Sequence, residues 1–285
     1  MRQWKQIELL VKTHGITCEG PVWDSVTNKL YYLDITGKKL HVFQWGTKSD
    51  KVTDLPQKVG FLALTTGEDL LLGLEDGVYR YPKGGNLQLA HDRFVFAGER
   101  FNDGKVGPDG RLYAGTIQRE GGAKLYCFEG AAITTLLENI KISNGLDWSM
   151  DGRTFYYCDT PTHQVDAFDF EIKKGAISNR RTIITIPEEC GSPDGLTIDI
   201  EGNLWIALWK GGRVIKVNSG NGEIIGEVVV PVSRVSCCCF AGENLDCLVI
   251  TTASGDGVAE REPLAGCVFV AKVGTYGRVP FRFNN

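Results

Sequence analysis

Residues 144–159 read Asn144-Gly-Leu-Asp-Trp-Ser-Met-Asp-Gly-Arg-Thr-Phe-Tyr-Tyr-Cys-Asp159. A polar residue is followed by a short apolar run, a tight Asp-Gly turn and a run of aromatic residues. That order suits two short strands joined by a hairpin turn. It recurs along the chain, with turns at Thr27-Asn28, Thr66-Gly67-Glu68, Asp109-Gly110, Asp151-Gly152, Glu201-Gly202 and Gly242-Glu243-Asn244. The turn glycines Gly67, Gly110, Gly152, Gly202 and Gly242 lie 40 to 50 residues apart. The strand after each turn reads alike, as in Leu30-Tyr-Tyr-Leu-Asp, Leu112-Tyr-Ala-Gly-Thr and Leu204-Trp-Ile-Ala-Leu. An alternating third run follows, as in Leu40-His-Val-Phe and Arg213-Val-Ile-Lys-Val. Six units of this period are the signature of a β-propeller. One unit cannot bury both of its faces, whereas six stacked side by side can. The expected fold is therefore all-β, a single six-bladed β-propeller domain over residues 1–285 with a central channel.

Composition agrees with a globular protein and removes several function classes. Of 285 residues, 42% are hydrophobic and 23% charged, which excludes global disorder. A net charge of −4, from 31 basic and 35 acidic residues, argues against a nucleic-acid partner. Lys173-Lys174 and Arg180-Arg181 read as solvated blade faces. No apolar run approaches the roughly 18 residues of a membrane span. The first eight residues carry charges where an export signal is apolar. The nine cysteines include the run Cys237-Cys238-Cys239, whose side chains must alternate between faces. With no C-x-x-C they read as small buried hydrophobes in a reducing, cytoplasmic setting. His14, His41, His91 and His163 are scattered, and neither H-E-x-x-H nor G-x-S-x-G occurs. Propellers lack long exposed edges, so a monomer or a weak homo-oligomer is expected.

The repeat also says where side chains converge. A propeller channel is lined by the innermost strand of each blade, so one phase of the repeat gathers at one mouth. Eight residues before the turn glycine stand Asn102, Asn144 and Asp194, and blade one, whose turn is one residue longer, places Glu19 there. Blade two offers Val59, and blade six falls within residues 234–236. A lone Asn-Gly reads as a turn residue starting a strand. Four polar residues in register on separate blades read as a ring of oxygen donors suited to a hard divalent cation such as Ca²⁺, Mg²⁺ or Mn²⁺. The neighbouring Gly20, Gly145 and Gly195 are expected to allow unusual backbone angles and close approach of a ligand.

At these residues the chain resembles the SMP-30/gluconolactonase/luciferin-regenerating-enzyme family, on its regucalcin-like branch. The matching segments include Glu19-Gly-Pro-Val-Trp23, Arg100-Phe-Asn-Asp-Gly-Lys105, Ala114-Gly-Thr116, Ile142-Ser-Asn-Gly-Leu-Asp-Trp148 and Ser192-Pro-Asp-Gly-Leu196. They run from blade one to blade five, so the resemblance covers essentially the whole chain. It implies a propeller with one catalytic divalent metal (Ca²⁺, or Zn²⁺, Mg²⁺ or Mn²⁺) in its channel and a small sugar lactone as substrate. Glu19, Asn144 and Asp194 would be the metal ligands. Arg100 and Asn102 would hold substrate oxygens, and Glu120 would reach a sugar hydroxyl. Asp194 would also be the catalytic base. Two other functions share this ring: a calcium-binding regulatory propeller without turnover, and a related esterase or phosphotriesterase-type hydrolase.

The sequence departs from the family pattern at Cys18, where glycine is usual, and at Arg119, which alters the charge of the substrate rim. Cys18 reads as a packing substitution rather than a further ligand. Trp23, Trp148 and Trp205 read as blade packing, and Trp209 as a residue near one of the two channel mouths. By simple alternation Asp147 should face away from Asn144 and serve a structural role. Glu188 and Glu189 could approach the metal from the turn before Asp194.

Overall fold

The computed structural model describes residues 1–83, 85–90 and 100–284. His91 lies outside them. The structure is a six-bladed β-propeller, and its six sheets follow the six copies of the repeat. The innermost strands are Cys18–Asp24, Val59–Leu64, Arg100–Val106, Ser143–Trp148, Ser192–Ile198 and Val235–Ala241. Each is followed by an antiparallel partner across the expected turn. Gly110, Gly152, Gly202 and Gly242 take positive φ at those turns, and Asn28 takes the same conformation in blade one.

The structure adds a fourth, outer strand to every blade, beyond the three the repeat announces. Strands such as Ser49–Asp54 and Ala176–Thr185 are mostly exposed, so they carry little apolar periodicity to read. The outer strand of blade six is Ile7–Val11, which pairs with Val268–Lys272. The ring is thus closed by the two ends of the sequence. Arg2–Trp4 adds a fifth, parallel strand to blade five.

Six hydrophobic clusters hold the molecule, each made by two adjacent blades. Leu33 and Leu40 meet Leu62 and Leu72 between blades one and two, and Tyr113 and Leu125 meet Trp148 and Phe155 between blades three and four. Trp23 and Phe43 of blade one meet Val249 and Val268 of blade six, which seals the circle. Trp23, Trp148 and Trp205 are completely buried. Each large side chain buried in these seams contributes about 1.5–3 kcal/mol.

Residues 276–284 cross one end of the channel and touch every blade. Tyr276 accepts from the Ile200 amide, and the Gly277 amide donates to Leu245. Arg278 donates to the Trp148 carbonyl at 3.0 Å and pairs with Asp147. Arg282 donates to the Thr65 carbonyl at 3.1 Å and pairs with Asp24. The Phe283 amide donates to Leu64 and the Asn284 amide to Gly110.

Candidate active site

Each innermost strand carries one extra residue relative to its partner, and in every blade it falls where the repeat places the ring. The register shifts between Glu19 and Val22, Val59 and Phe61, Phe101 and Gly104, Asn144 and Leu146, Pro193 and Leu196, and Val235 and Cys237. A bulge of this kind re-aims side chains and breaks simple alternation. Asn144 pairs with Cys158 and Asp147 with Tyr156, two partners that share a face. Asp147 is therefore turned to the same side as Asn144, contrary to the alternation argument.

The glycines beside the ring have a different role from the one expected. Of Gly20, Gly145 and Gly195, only Gly20 has positive φ, at 54°. The other two make room for the next blade rather than for a ligand. A Cβ on Gly145 would lie 2.4 Å from the Asp194 carbonyl oxygen, and one on Gly195 would lie 2.1 Å from Cys237 Sγ. In blade two, a Cβ on Gly60 would lie 2.1 Å from the Phe101 carbonyl oxygen. Adjacent inner strands are pressed backbone to side chain, and this narrows the ring.

Glu19, Asp103, Asn144 and Asp194 are all buried, with exposures of 8, 9, 6 and 6%. Glu19 Oε2 accepts from the Gly20 amide and Asp103 Oδ1 from the Gly104 amide. The Asn144 amide nitrogen donates to Thr160 Oγ1 at 3.0 Å and supports Asp194. Arg100 Nη1 donates to the Phe101 carbonyl at 2.7 Å and to Asn102 Oδ1 at 2.8 Å. Asn102 Nδ2 donates to the Ser143 carbonyl at 2.8 Å, which joins blades three and four.

All three acids hold a proton more tightly than a free carboxylate does. Burial, then the Asp103 charge, pushes Glu19 up to about 8. Burial pushes Asp103 up to about 6, although Lys105 opposes it. Burial, then Glu19 and Asp103, holds Asp194 well above the usual carboxylate range. The group is short of positive charge, and its exposed chemistry is oxygen. The Asn144 amide oxygen accepts nothing from the described residues. A hard divalent cation fits this donor set and would relieve the repulsion. The carboxylates alone do not enclose one, since no three His, Cys, Asp or Glu side chains among the described residues stand close enough together. The Asn144 oxygen has to complete the set.

One level further along the channel is a second ring, made of Val22, Leu62, Lys105, Asp147, Thr197 and Cys239, one from each blade. With Arg278, Pro280 and Phe281 they line a cavity of about 60 Å³. Asp147 is paired on both sides, with Lys105 at 3.0 Å and with Arg278. Thr197 Oγ1 also donates to it. Burial alone would raise its pKa, but Arg278 and then Lys105 hold it below the usual range.

Other expected residues lie apart from the acid ring. Glu120 and Arg119 are exposed in the turn after Leu112–Ile117, on the side of the channel where Arg100 begins its strand, and Glu120 does not reach the buried acids. Cys18 is fully buried, with its thiol toward the Gly266 carbonyl. Glu188 and Glu189 are exposed in a short 3-10 turn and do not approach the ring. Trp209 pairs with Ser192 at the end of the channel where Asp194 sits, and the Arg234 guanidinium lies over its ring. Asp103, Lys105, Arg278 and Cys237, whose thiol hydrogen-bonds Glu19, were missed by sequence reasoning. A bulge exposes two successive residues, so Asn102-Asp103 was the readable signal for the first of them.

Residues 17–254 match the family described as SMP-30/Gluconolactonase/LRE-like region. The chain is 37% identical to regucalcin of Gallus gallus over 284 residues, 93% of this chain and 94% of that one. It is 34% identical to the Bacillus subtilis (strain 168) protein named "Putative sugar lactone lactonase YvrE", over 95% of this chain and 96% of that one. Among solved structures it superposes on a calcium-binding protein, regucalcin, from Agrobacterium tumefaciens str. C58. That match has a TM-score of 0.92 and 25% identity, over 99% of this chain and 98% of that one.

Proposed function

The chain belongs to the SMP-30/gluconolactonase/LRE-like family, and from that premise we propose that it is a divalent-metal-dependent hydrolase that opens a sugar lactone. The observation that carries this reading is the buried ring of Glu19, Asp103, Asn144 and Asp194 with Arg100 and Asn102 beside it. An ion site with no chemistry to perform does not need a guanidinium and an amide held together at its edge.

Glu19, Asn144 and Asp194 would hold the cation. When bound, it supplies Lewis acidity toward the lactone carbonyl and acidifies water. Asp194 accepts the proton released as water attacks the carbonyl carbon. The Asn144 amide orients it. Arg100 offers permanently charged donors to the oxygen on which negative charge develops. Asn102 fixes the Arg100 side chain and, through the Ser143 carbonyl, the spacing of blades three and four. Glu120 would meet a sugar hydroxyl only if its turn folds inward over bound substrate. We assign the protein to a reducing cytoplasmic setting, to which its nine free cysteines are suited.

The relatives named regucalcin, one of them described as calcium-binding, favour a second reading in which the ring binds calcium without turnover. Hydrolysis of glucono-δ-lactone, followed with a pH indicator, separates the two. Turnover that chelator abolishes and an added-back ion restores is expected. Calcium binding without turnover on a panel of aldonolactones with Ca²⁺, Mg²⁺, Mn²⁺ and Zn²⁺ would overturn the enzyme.

A further inference from the structure

Lys105 stands between the two rings and has no place in the chemistry above. It lies two residues after Asp103 on the innermost strand of blade three. Its ammonium is fixed by Asp147 Oδ2 at 3.0 Å and by the Leu196 carbonyl at 3.0 Å. Leu196 follows Asp194 by two residues, so this one side chain ties the strand bearing Asp103 to the strand bearing Asp194. Asp147 does not need Lys105 for neutrality, because Arg278 already pairs with it from the far side. The stack Lys105–Asp147–Arg278 therefore carries one positive charge more than it uses. That charge faces Asp103, whose partners across the ring are Glu19 and Asp194.

Counting formal charges makes the role definite. With every group ionised, Glu19, Asp103, Asp194 and Asp147 would carry four negative charges against three positive ones on Arg100, Lys105 and Arg278. That leaves one negative charge in excess, and without Lys105 the excess would be two. Buried carboxylates that face one another across a channel repel unless a counter-charge is near.

We propose that Lys105 is a positioning residue, the built-in counter-charge that offsets Asp103 beside Glu19 and Asp194 before a divalent cation binds. It does so at the expense of cation affinity, because a fixed ammonium below the ring repels the incoming ion. The affinity part of this inference rests on the cation site proposed above, and the stability part does not.

The test is Lys105→Met, which keeps the stem and the Asp147–Arg278 pair, set beside Lys105→Arg, which keeps the charge. Calcium binding is read by calorimetry and thermal stability is read with and without calcium. Lys105→Met should bind calcium on the order of tenfold more tightly, as loss of one nearby like charge in a partly shielded site implies. Its calcium-free form should melt lower than the wild-type form, and added calcium should recover the loss. Lys105→Arg should follow the wild type in both respects. A merely structural lysine would lower both forms equally and weaken binding, and that result would overturn the proposal. If the wild type binds no divalent cation, the proposed function fails. The inference is then decided by the metal-free proteins alone, where Met must destabilise and Arg must not.

Discussion

The two rings of the channel are built from the same strands, a few residues apart, yet they treat buried acids in opposite ways. In the ring of Glu19, Asp103 and Asp194, burial raises the proton affinity of every carboxylate, and neighbouring acids add to it. In the ring below, Asp147 is no less buried but is paired with Lys105 and Arg278 and stays ionised. Burial alone therefore does not mark a functional acid. What distinguishes the upper ring is that the protein answers its charge only in part, and a bound cation gains most where charge is left over.

The sharpest test exchanges the same residue type in each ring. Asp194→Ala should abolish cation binding and lower lactone hydrolysis by at least about a thousandfold, by analogy with loss of a metal-held catalytic group. Retained hydrolysis in that variant would defeat the assignment. Asp147→Ala should act on stability instead. It strands Lys105 and Arg278 as unpaired partly buried cations, and a loss of about 3–5 kcal/mol is expected from chemical denaturation.

Changing pH should separate the rings without mutation. A carboxylate whose pKa is raised on folding binds protons more tightly in the folded chain, so its contribution falls as pH rises through the window between its unfolded and folded values. For Glu19 that window runs from 4.5 to about 8. The cation-free protein should therefore be less stable at pH 8 than at pH 6, by about 1–3 kcal/mol at roughly 1.4 kcal/mol per unit. Saturating calcium should flatten the difference. Asp147 has the opposite sign, since its lowered pKa gives stability that is present above the ordinary carboxylate value and lost as pH falls below it. Denaturation curves at pH 3, 6 and 8 check both.

The smallest effect is expected at the edge of the upper ring. Asn102→Ala removes the brace of Arg100 and the bond to Ser143 but no proposed ligand. KM should rise by about tenfold, the equivalent of one good hydrogen bond to a charged group, while calcium affinity changes less. Loss of the calcium site in this variant, measured by calorimetry, would show that Asn102 belongs with the ligands.

The fold was readable because turns and apolar runs recur at one spacing, and a repeat of that length has few solutions. The phase of the repeat also led to Glu19, Asn102, Asn144 and Asp194, since residues in register must converge at the axis. Two things were hidden. The outer strands face water on much of their surface, so nothing in Ser49–Asp54 or Ala176–Thr185 marks them as part of a blade. The bulge in each inner strand is a matter of pairing rather than composition. It sent Asp147 to the wrong side of the reading and left Asp103 looking like a spacer between Asn102 and Gly104. Arg278 was out of reach because its partner is 131 positions away and no periodicity links them.

The segment 276–284 turns the channel from a tunnel into a well. Arg278, Pro280 and Phe281 floor it, and the space above them is about 60 Å³, room for a few water molecules. Anything processed at the acids has to back out past Arg100 and Trp209 by the route it came in. Under the proposed lactone hydrolysis such a vessel would hold one guest at a time, so a slowly departing acid product would hold up the next lactone, most firmly with the proposed cation in place.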